Sequence, residues 1–233
     1  MTVTDVNVVK SAIFERPDDA NKGTLGSLLC VCGSYGMAGA AVMSAKGALR
    51  TGIGLAKCAL PRSIYPIVAQ TILESVYYPL SENADGRISK VNVPFLVSES
   101  CKSSATLVGC GLGVCDDTLK IVFSFIENST TPLVLDADAL NCVAKQPEIL
   151  LRKKAPIIIT PHPGEMSRLT GLATPLVNAE RERVALDFAQ KYGVVTVLKG
   201  AGTVIASPNG KVLVNPTGNS GMATGGSGDV LAG

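Results

Sequence analysis

Near the end of this 233-residue chain a run of glycines closes on a carboxylate: Gly225-Gly226-Ser227-Gly228-Asp229, then Val230-Leu231-Ala232-Gly233. Glycines leave backbone N–H groups unshielded, so such a loop can cradle a phosphate. A helix opening at Val230 would aim its positive end at the same place. Asp229 beside that cradle suits phosphoryl transfer, in which a base takes a hydroxyl proton and N–H groups hold the charge on the phosphoryl oxygens. The competing reading is an ordinary acid at a helix start. A second Gly-flanked segment, Leu198-Lys199-Gly200-Ala201-Gly202-Thr203, lies upstream. Its place favours a phosphate or nucleotide contact for Lys199 over the usual solvated lysine.

Three other segments carry chemistry-bearing residues. Thr160-Pro161-His162-Pro163-Gly164-Glu165 holds the only histidine of the chain, in a loop stiffened by two prolines. Glu165 either stabilises the first turn of the next helix or holds Mg²⁺ through water. In Leu135-Asp136-Ala137-Asp138-Ala139-Leu140, Asp138 reads as a helix N-cap. Asp136, at a strand tip, reads either as a metal or water contact or as an acceptor for loop N–H groups. Gly33-Ser34-Tyr35-Gly36-Met37-Ala38-Gly39-Ala40-Ala41 is neither the dinucleotide G-x-G-x-x-G nor a P-loop. It either admits a bulky ligand at a helix start or only allows close helix packing. Gly109-Cys110-Gly111-Leu112-Gly113 reads first as a tight turn, with room for phosphates as the alternative.

Short apolar runs and helical stretches alternate around these segments. Strands are expected at Ser27–Cys32, Gly54–Leu60, Ala105–Val108, Pro132–Leu135, Pro156–Thr160 and Val194–Leu198. Helices are expected at about Gly39–Thr51, at Asp116–Glu127 with Asp116 as N-cap, and at Val177–Lys191. Val204–Ser207 and Lys211–Val214 flank Pro208-Asn209-Gly210, a hairpin signal. The pattern predicts one α/β domain, with a mostly parallel sheet covered by helices on both faces. Five separate strand ends carry Gly, Asp, His or Lys, and ligands of such sheets bind outside the carboxyl ends of strands.

Composition narrows the partners. The net charge is +2, from 21 basic and 19 acidic residues, which gives no reason to expect nucleic acid or an anionic membrane. Trp is absent and aromatics make up 4 %, too few for a base-stacking surface. Seven cysteines without metal spacing argue for free thiols in a reducing compartment rather than structural zinc. No run reaches the roughly 18 apolar residues of a membrane helix. Asp5, Glu15, Asp18 and Asp19 do not suit a leader peptide. A cytoplasmic globular protein is expected.

Together, Asn21-Lys22-Gly23, GSYGMAGAA, GLG, LDADAL, TPHPGE, LKGAGT and NPTGNSGMATGGSGDVLAG resemble the ADP/ATP-dependent NAD(P)H-hydrate dehydratases of the ribokinase-like superfamily. The resemblance runs in order from about Ala20 to Gly233. It implies a ribokinase-like fold that repairs hydrated NADH and NADPH, in which water has added across a nicotinamide double bond at C6. It implies Asp229 as the base, Gly225, Gly226, Ser227 and Gly228 as the anion hole, and Lys199, Gly200, Ala201, Gly202, Thr203 and Gly228 at the nucleotide. Ala40, Gly111, His162 and Asp229 would meet the hydrated dinucleotide. Mg²⁺ would bridge phosphates, with Glu165 and Asp136 near it, and ADP is expected over ATP as donor. The resemblance also implies a homo-oligomer. A single domain over 1–233 is expected, stopping short of the family's C-terminal helices and carrying no fused epimerase. The alternatives are a ribokinase-like kinase of a small alcohol or vitamin precursor, and an inactive nucleotide-binding fragment. Against the kinase, His162 stands where such kinases tend to carry Asn.

Overall fold

The computed structural model describes residues 2–3, 10 and 16–233. The apolar runs become the strands of one sheet. They are β1 (Thr2–Val3), β2 (Ser27–Val31), β3 (Leu55–Pro61), β4 (Val76–Leu80), β5 (Ala105–Val108), β6 (Leu133–Leu135), β7 (Ile157–Ile159), β8 (Val195–Leu198), β9 (Thr203–Ala206) and β10 (Val212–Asn215). Their order across the sheet is β1-β10-β9-β8-β7-β6-β5-β2-β3-β4. Neighbours from β8 to β4 are parallel. The hairpin read from Pro208-Asn209-Gly210 supplies β9 and β10, each antiparallel to its predecessor.

Successive strand residues point to opposite faces, and both faces are covered. On β2, Leu28 and Cys30 pack on one side, against Ala41, Ala45 and Ala48 of α1 (Ala38–Thr51) and Val68 of α2 (Tyr65–Thr71). Leu29 and Val31 face the other side. There the core includes Leu96 of α3 (Val93–Cys101), Phe125 of α4 (Asp116–Asn128), Leu140 of α5 (Asp138–Val143) and Met166 of α6 (Pro163–Thr170). Val177 of α7 (Thr174–Ala179) and Phe188 of α8 (Arg181–Tyr192) complete that layer. This is the doubly covered, mostly parallel sheet that fully apolar strands require. No helix among the described residues is long and apolar enough to cross a membrane.

Several local expectations are corrected. The stretch Val177–Lys191 is two helices, α7 and α8, broken at Glu180 (φ −126°, ψ 41°). Cys115, not Asp116, caps α4, because the Thr118 hydroxyl reaches back to the Cys115 N–H at 2.9 Å. Ala137, not Asp138, precedes α5, and Asp138 instead accepts from the Gly113 N–H at 2.8 Å. β4, α2 and α3 were not anticipated. β4 carries Pro79 and lies at a sheet edge, the position where a strand tolerates proline.

The C-terminal helix α9 (Ser227–Ala232) rests on α1 because α1 is built of small residues. A Cβ added at Gly47 would lie 2.5 Å from the Val230 carbonyl oxygen. Gly47→Val should therefore push α9, and Asp229 with it, off its seat. Amide hydrogen exchange across Ser227–Ala232 should quicken with little change in melting temperature, and unchanged exchange there would contradict this packing role.

Candidate active site

Strand order reverses at β2: β3 and β4 lie to one side, β5 to β8 to the other. Ligands of open α/β sheets bind at such a switch point. The loops above it are locked by backbone bonds that continue past the strand ends. Gly33 N–H donates to the Cys110 carbonyl (2.8 Å), Asp136 N–H to Val108 (3.1 Å), Thr160 N–H to Leu135 (3.2 Å) and Lys199 N–H to Pro161 (2.8 Å). The strand ends read from sequence thus form one row.

At the centre of that row is a buried ion pair. Asp136 is 1 % exposed, and its Oδ1 accepts from Lys199 Nζ at 2.6 Å and from the Thr160 hydroxyl at 2.8 Å. Lys199 Nζ also lies 3.9 Å from Glu165 Oε2. An ammonium between two buried carboxylates is held in one place, since breaking a buried pair leaves an uncompensated charge. The loop N–H groups do not reach the Asp136 carboxylate, against one of its two sequence readings: Oδ1 accepts from Lys199 and Thr160, and Oδ2 from the Cys110 thiol. The backbone beside it is strained. Ala137 has φ 49°, the only positive φ of a non-glycine among the described residues, and such strain costs on the order of 1–3 kcal/mol.

His162 caps α6 with its ring. Nδ1 accepts from the Gly164 N–H (3.0 Å) and the Glu165 N–H (3.4 Å), so the ring proton of a neutral imidazole sits on Nε2. Glu165 reaches back in a capping box, accepting from the His162 N–H at 2.8 Å, with Oε1 3.5 Å from Nε2. Burial raises the Glu165 carboxyl above its ordinary range, against the opposing pull of Lys199 and the His162 N–H. Helix stabilisation by Glu165 is therefore present, and contact with Lys199 comes with it. The His162 side chain remains half exposed.

Asp229 lies in the first turn of α9, which begins at Ser227 rather than Val230. Its carboxylate, Asp136 and Cys110 bring ligand atoms within 4.8 Å of one another. Burial raises the Asp229 carboxyl, opposed by the Cys110 thiol, while the Asp136 charge raises it further. Cys110 itself is pushed far up by the Cys32 thiol, by burial and by the Asp136 charge, so it stays protonated. Its Sγ donates toward Asp136 Oδ2 at 3.6 Å. The N–H groups of Gly225, Gly226, Gly228 and Asp229 find no acceptor among the described residues. Lys199 Nζ would stand 3.5 Å from a Cβ added at Gly228.

The remaining candidates join the same chain of contacts. Ala40 abuts Gly111, where an added Cβ would come within 2.7 Å of the alanine methyl. Ser34 donates to the Gly111 carbonyl at 2.8 Å. In the 199–203 loop, Thr203 Oγ1 bonds both the N–H and the carbonyl of Gly200, at 3.3 and 3.0 Å. Sequence reasoning missed Cys110 as a neighbour of Asp229. Its place in a G-C-G turn was visible, but only the approach of α9 to α1 brings Asp229 there. It also missed Arg181, whose Nη2 donates to the Leu198 carbonyl at 2.8 Å. No spacing in the sequence signals that contact.

A family described as NAD(P)H-hydrate dehydratase matches residues 28–233. The chain belongs to the NAD(P)H-hydrate dehydratase family. It is 41 % identical over 94 % of its length to a bifunctional NAD(P)H-hydrate repair enzyme Nnr of Thermofilum pendens, covering 42 % of that protein. The chain thus spans about two fifths of the first curated relatives it matches. It covers 70 % of an ADP-dependent (S)-NAD(P)H-hydrate dehydratase of Neisseria meningitidis, at 35 % identity over 94 % of this chain. An ADP/ATP-dependent NAD(P)H-hydrate dehydratase of Bacillus subtilis, co-crystallised with ATP and Mg²⁺, superposes with a TM-score of 0.83 at 31 % identity. That match covers 99 % of this chain and 78 % of the other. The fold of this family member is ribokinase-like, as the motifs implied.

Proposed function

We propose that this chain, as a single ribokinase-like domain over 1–233, restores hydrated NADH and NADPH by nucleotide-dependent dehydration. The observation that carries the proposal is the grouping at α9. A half-buried carboxylate, Asp229, stands beside unpaired N–H groups of Gly225, Gly226 and Gly228 and near the Lys199 ammonium. That arrangement supplies a base and an anion hole at one place.

Hydroxide leaves carbon poorly, and phosphate leaves well. Asp229 takes the proton of the C6 hydroxyl as its oxygen attacks the terminal phosphoryl group of ADP or ATP, releasing AMP or ADP. The free N–H groups of Gly225, Gly226 and Gly228 receive the charge on the phosphoryl oxygens, whereas Ser227, expected among them, already donates its N–H to the Thr224 carbonyl (3.4 Å) and its hydroxyl to the Met222 carbonyl (2.7 Å). The C6–O bond then breaks with loss of phosphate, and a proton leaves the adjacent carbon. The product is the conjugated dihydropyridine. Lys199, Gly200, Ala201, Gly202 and Thr203 hold the nucleotide, and Ala40, Gly111 and His162 border the dinucleotide.

Mg²⁺ is the implied cofactor, and the donor set fits it in part. Asp136 Oδ2, which meets only the Cys110 thiol, offers one oxygen, with Asp229 kept free as the base, and a hard cation would take its other ligands from phosphates and water. The Cys110 thiol does not suit it. Glu165 already serves His162 and Lys199, so its part is to hold Lys199. When bound, Mg²⁺ neutralises charge on the phosphates.

ADP as the preferred donor, a homo-oligomer and a cytoplasmic location belong to the same proposal. The N. meningitidis and B. subtilis relatives, named ADP-dependent and ADP/ATP-dependent, support nucleotide use. Product analysis tests the reading against a small-alcohol kinase. Released inorganic phosphate with recovered NADH supports dehydration, and a stable phosphorylated product contradicts it.

A further inference from the structure

We propose that Arg181 is a positioning residue of the nucleotide loop, its guanidinium clamping residues 199–203 in the shape that receives a nucleoside di- or triphosphate. The inference rests on the function proposed above.

Arg181 opens α8 immediately after the break at Glu180, and that break turns its side chain toward the sheet. Nη2 donates to the carbonyls of Leu198 (2.8 Å) and Gly202 (3.5 Å), on either side of the loop. Between these contacts the guanidinium lies on the α-carbon of Gly200. A Cβ there would meet Nη1 at 2.7 Å and Nη2 at 2.8 Å. Gly200 also has φ 153°, a conformation side chains rarely adopt. One planar group thus fixes the loop at three points, and a loop held in its binding shape loses less entropy on binding.

The charge on Arg181 has no carboxylate partner among the described residues, because neighbouring Glu180 pairs with Arg183. Nε is buried with no hydrogen-bond partner. Burial disfavours the charged form, yet a guanidinium stays protonated. Arg181 borders a cavity of about 590 Å³ shared with Ala201, Gly202, Val204 and Val214. Glu180, Glu182 and Arg183 line the same cavity, but neither carboxylate pairs with Arg181, so its charge against the loop favours an anion bound on that loop, and a nucleotide's phosphates supply one.

The test is calorimetric binding of ADP and of ATP to the full chain, followed by steady-state kinetics with hydrated NADH. Arg181→Met should weaken nucleotide affinity about tenfold or more, the scale of a lost charge-assisted hydrogen bond. KM for the hydrate should stay put, and Arg181→Lys should fall between. In Arg181→Ala, millimolar guanidinium ion should restore part of the nucleotide affinity. Undiminished nucleotide binding by Arg181→Met overturns the inference alone. So does a uniform loss of stability, both KM values and kcat, without guanidinium rescue. A wild-type chain that binds neither nucleotide overturns the function reading and this inference together.

Discussion

Asp229→Asn should lower kcat by on the order of a thousandfold or more, the scale of a lost general base. Nucleotide affinity and melting temperature should change little. Asparagine keeps the shape of the side chain but accepts no proton at neutral pH. The fold should tolerate it because burial already disfavours the charge of Asp229. The same burial has a consequence for pH dependence. A base works only when ionised, and burial raises the folded pKa of Asp229 above its ordinary value. Wild-type kcat should therefore fall, as pH drops, through a value above the ordinary aspartate range. The residual activity of Asp229→Asn should lack that acid limb. If the variant instead unfolds or stops binding nucleotide, Asp229 is a structural residue and the base lies elsewhere.

Lys199→Met should do two separable things. Asp136 is 1 % exposed and loses its ammonium partner, keeping only Thr160 and the weak Cys110 donor. An orphaned buried carboxylate costs about 3 kcal/mol, a drop of several degrees in melting temperature. Nucleotide affinity should fall as well, because the cation beside Gly228 is gone. Adding Asp136→Asn to Lys199→Met should recover most of the stability and none of the nucleotide affinity. That cycle separates the ion pair from the ligand contact. Unchanged melting and unchanged affinity in Lys199→Met would remove Lys199 from both roles.

The site was legible where it is local in sequence. A polar segment after an apolar run places its residues at a strand end, which is why the sequence alone assigns Asp136, His162 and Lys199 to one edge of the sheet. The length of TPHPGE and of the glycine run carried the family. What escaped depends on distance in the chain. Cys110 meets Asp229 across more than a hundred residues, through the packing of α9 on the small side chains of α1. Arg181 meets the 199–203 loop because α7 and α8 break at Glu180, and nothing in Val177–Lys191 marks a break in helical periodicity. The shifted caps have separate causes: the Thr118 hydroxyl takes the Cys115 N–H, and the Asp138 carboxylate takes the distant Gly113 N–H rather than one in its own first turn, choices that composition does not reveal. β4 was hidden by Pro79, tolerable only because the strand lies at an edge.

The most direct measurement follows the near-ultraviolet absorbance of reduced nicotinamide when the protein meets hydrated NADH, Mg²⁺ and either ADP or ATP. A nucleotide-dependent rise, with matching release of inorganic phosphate and a faster rate on ADP, is the predicted result. Nucleotide bound or consumed without any recovery of NADH would contradict the dehydratase account.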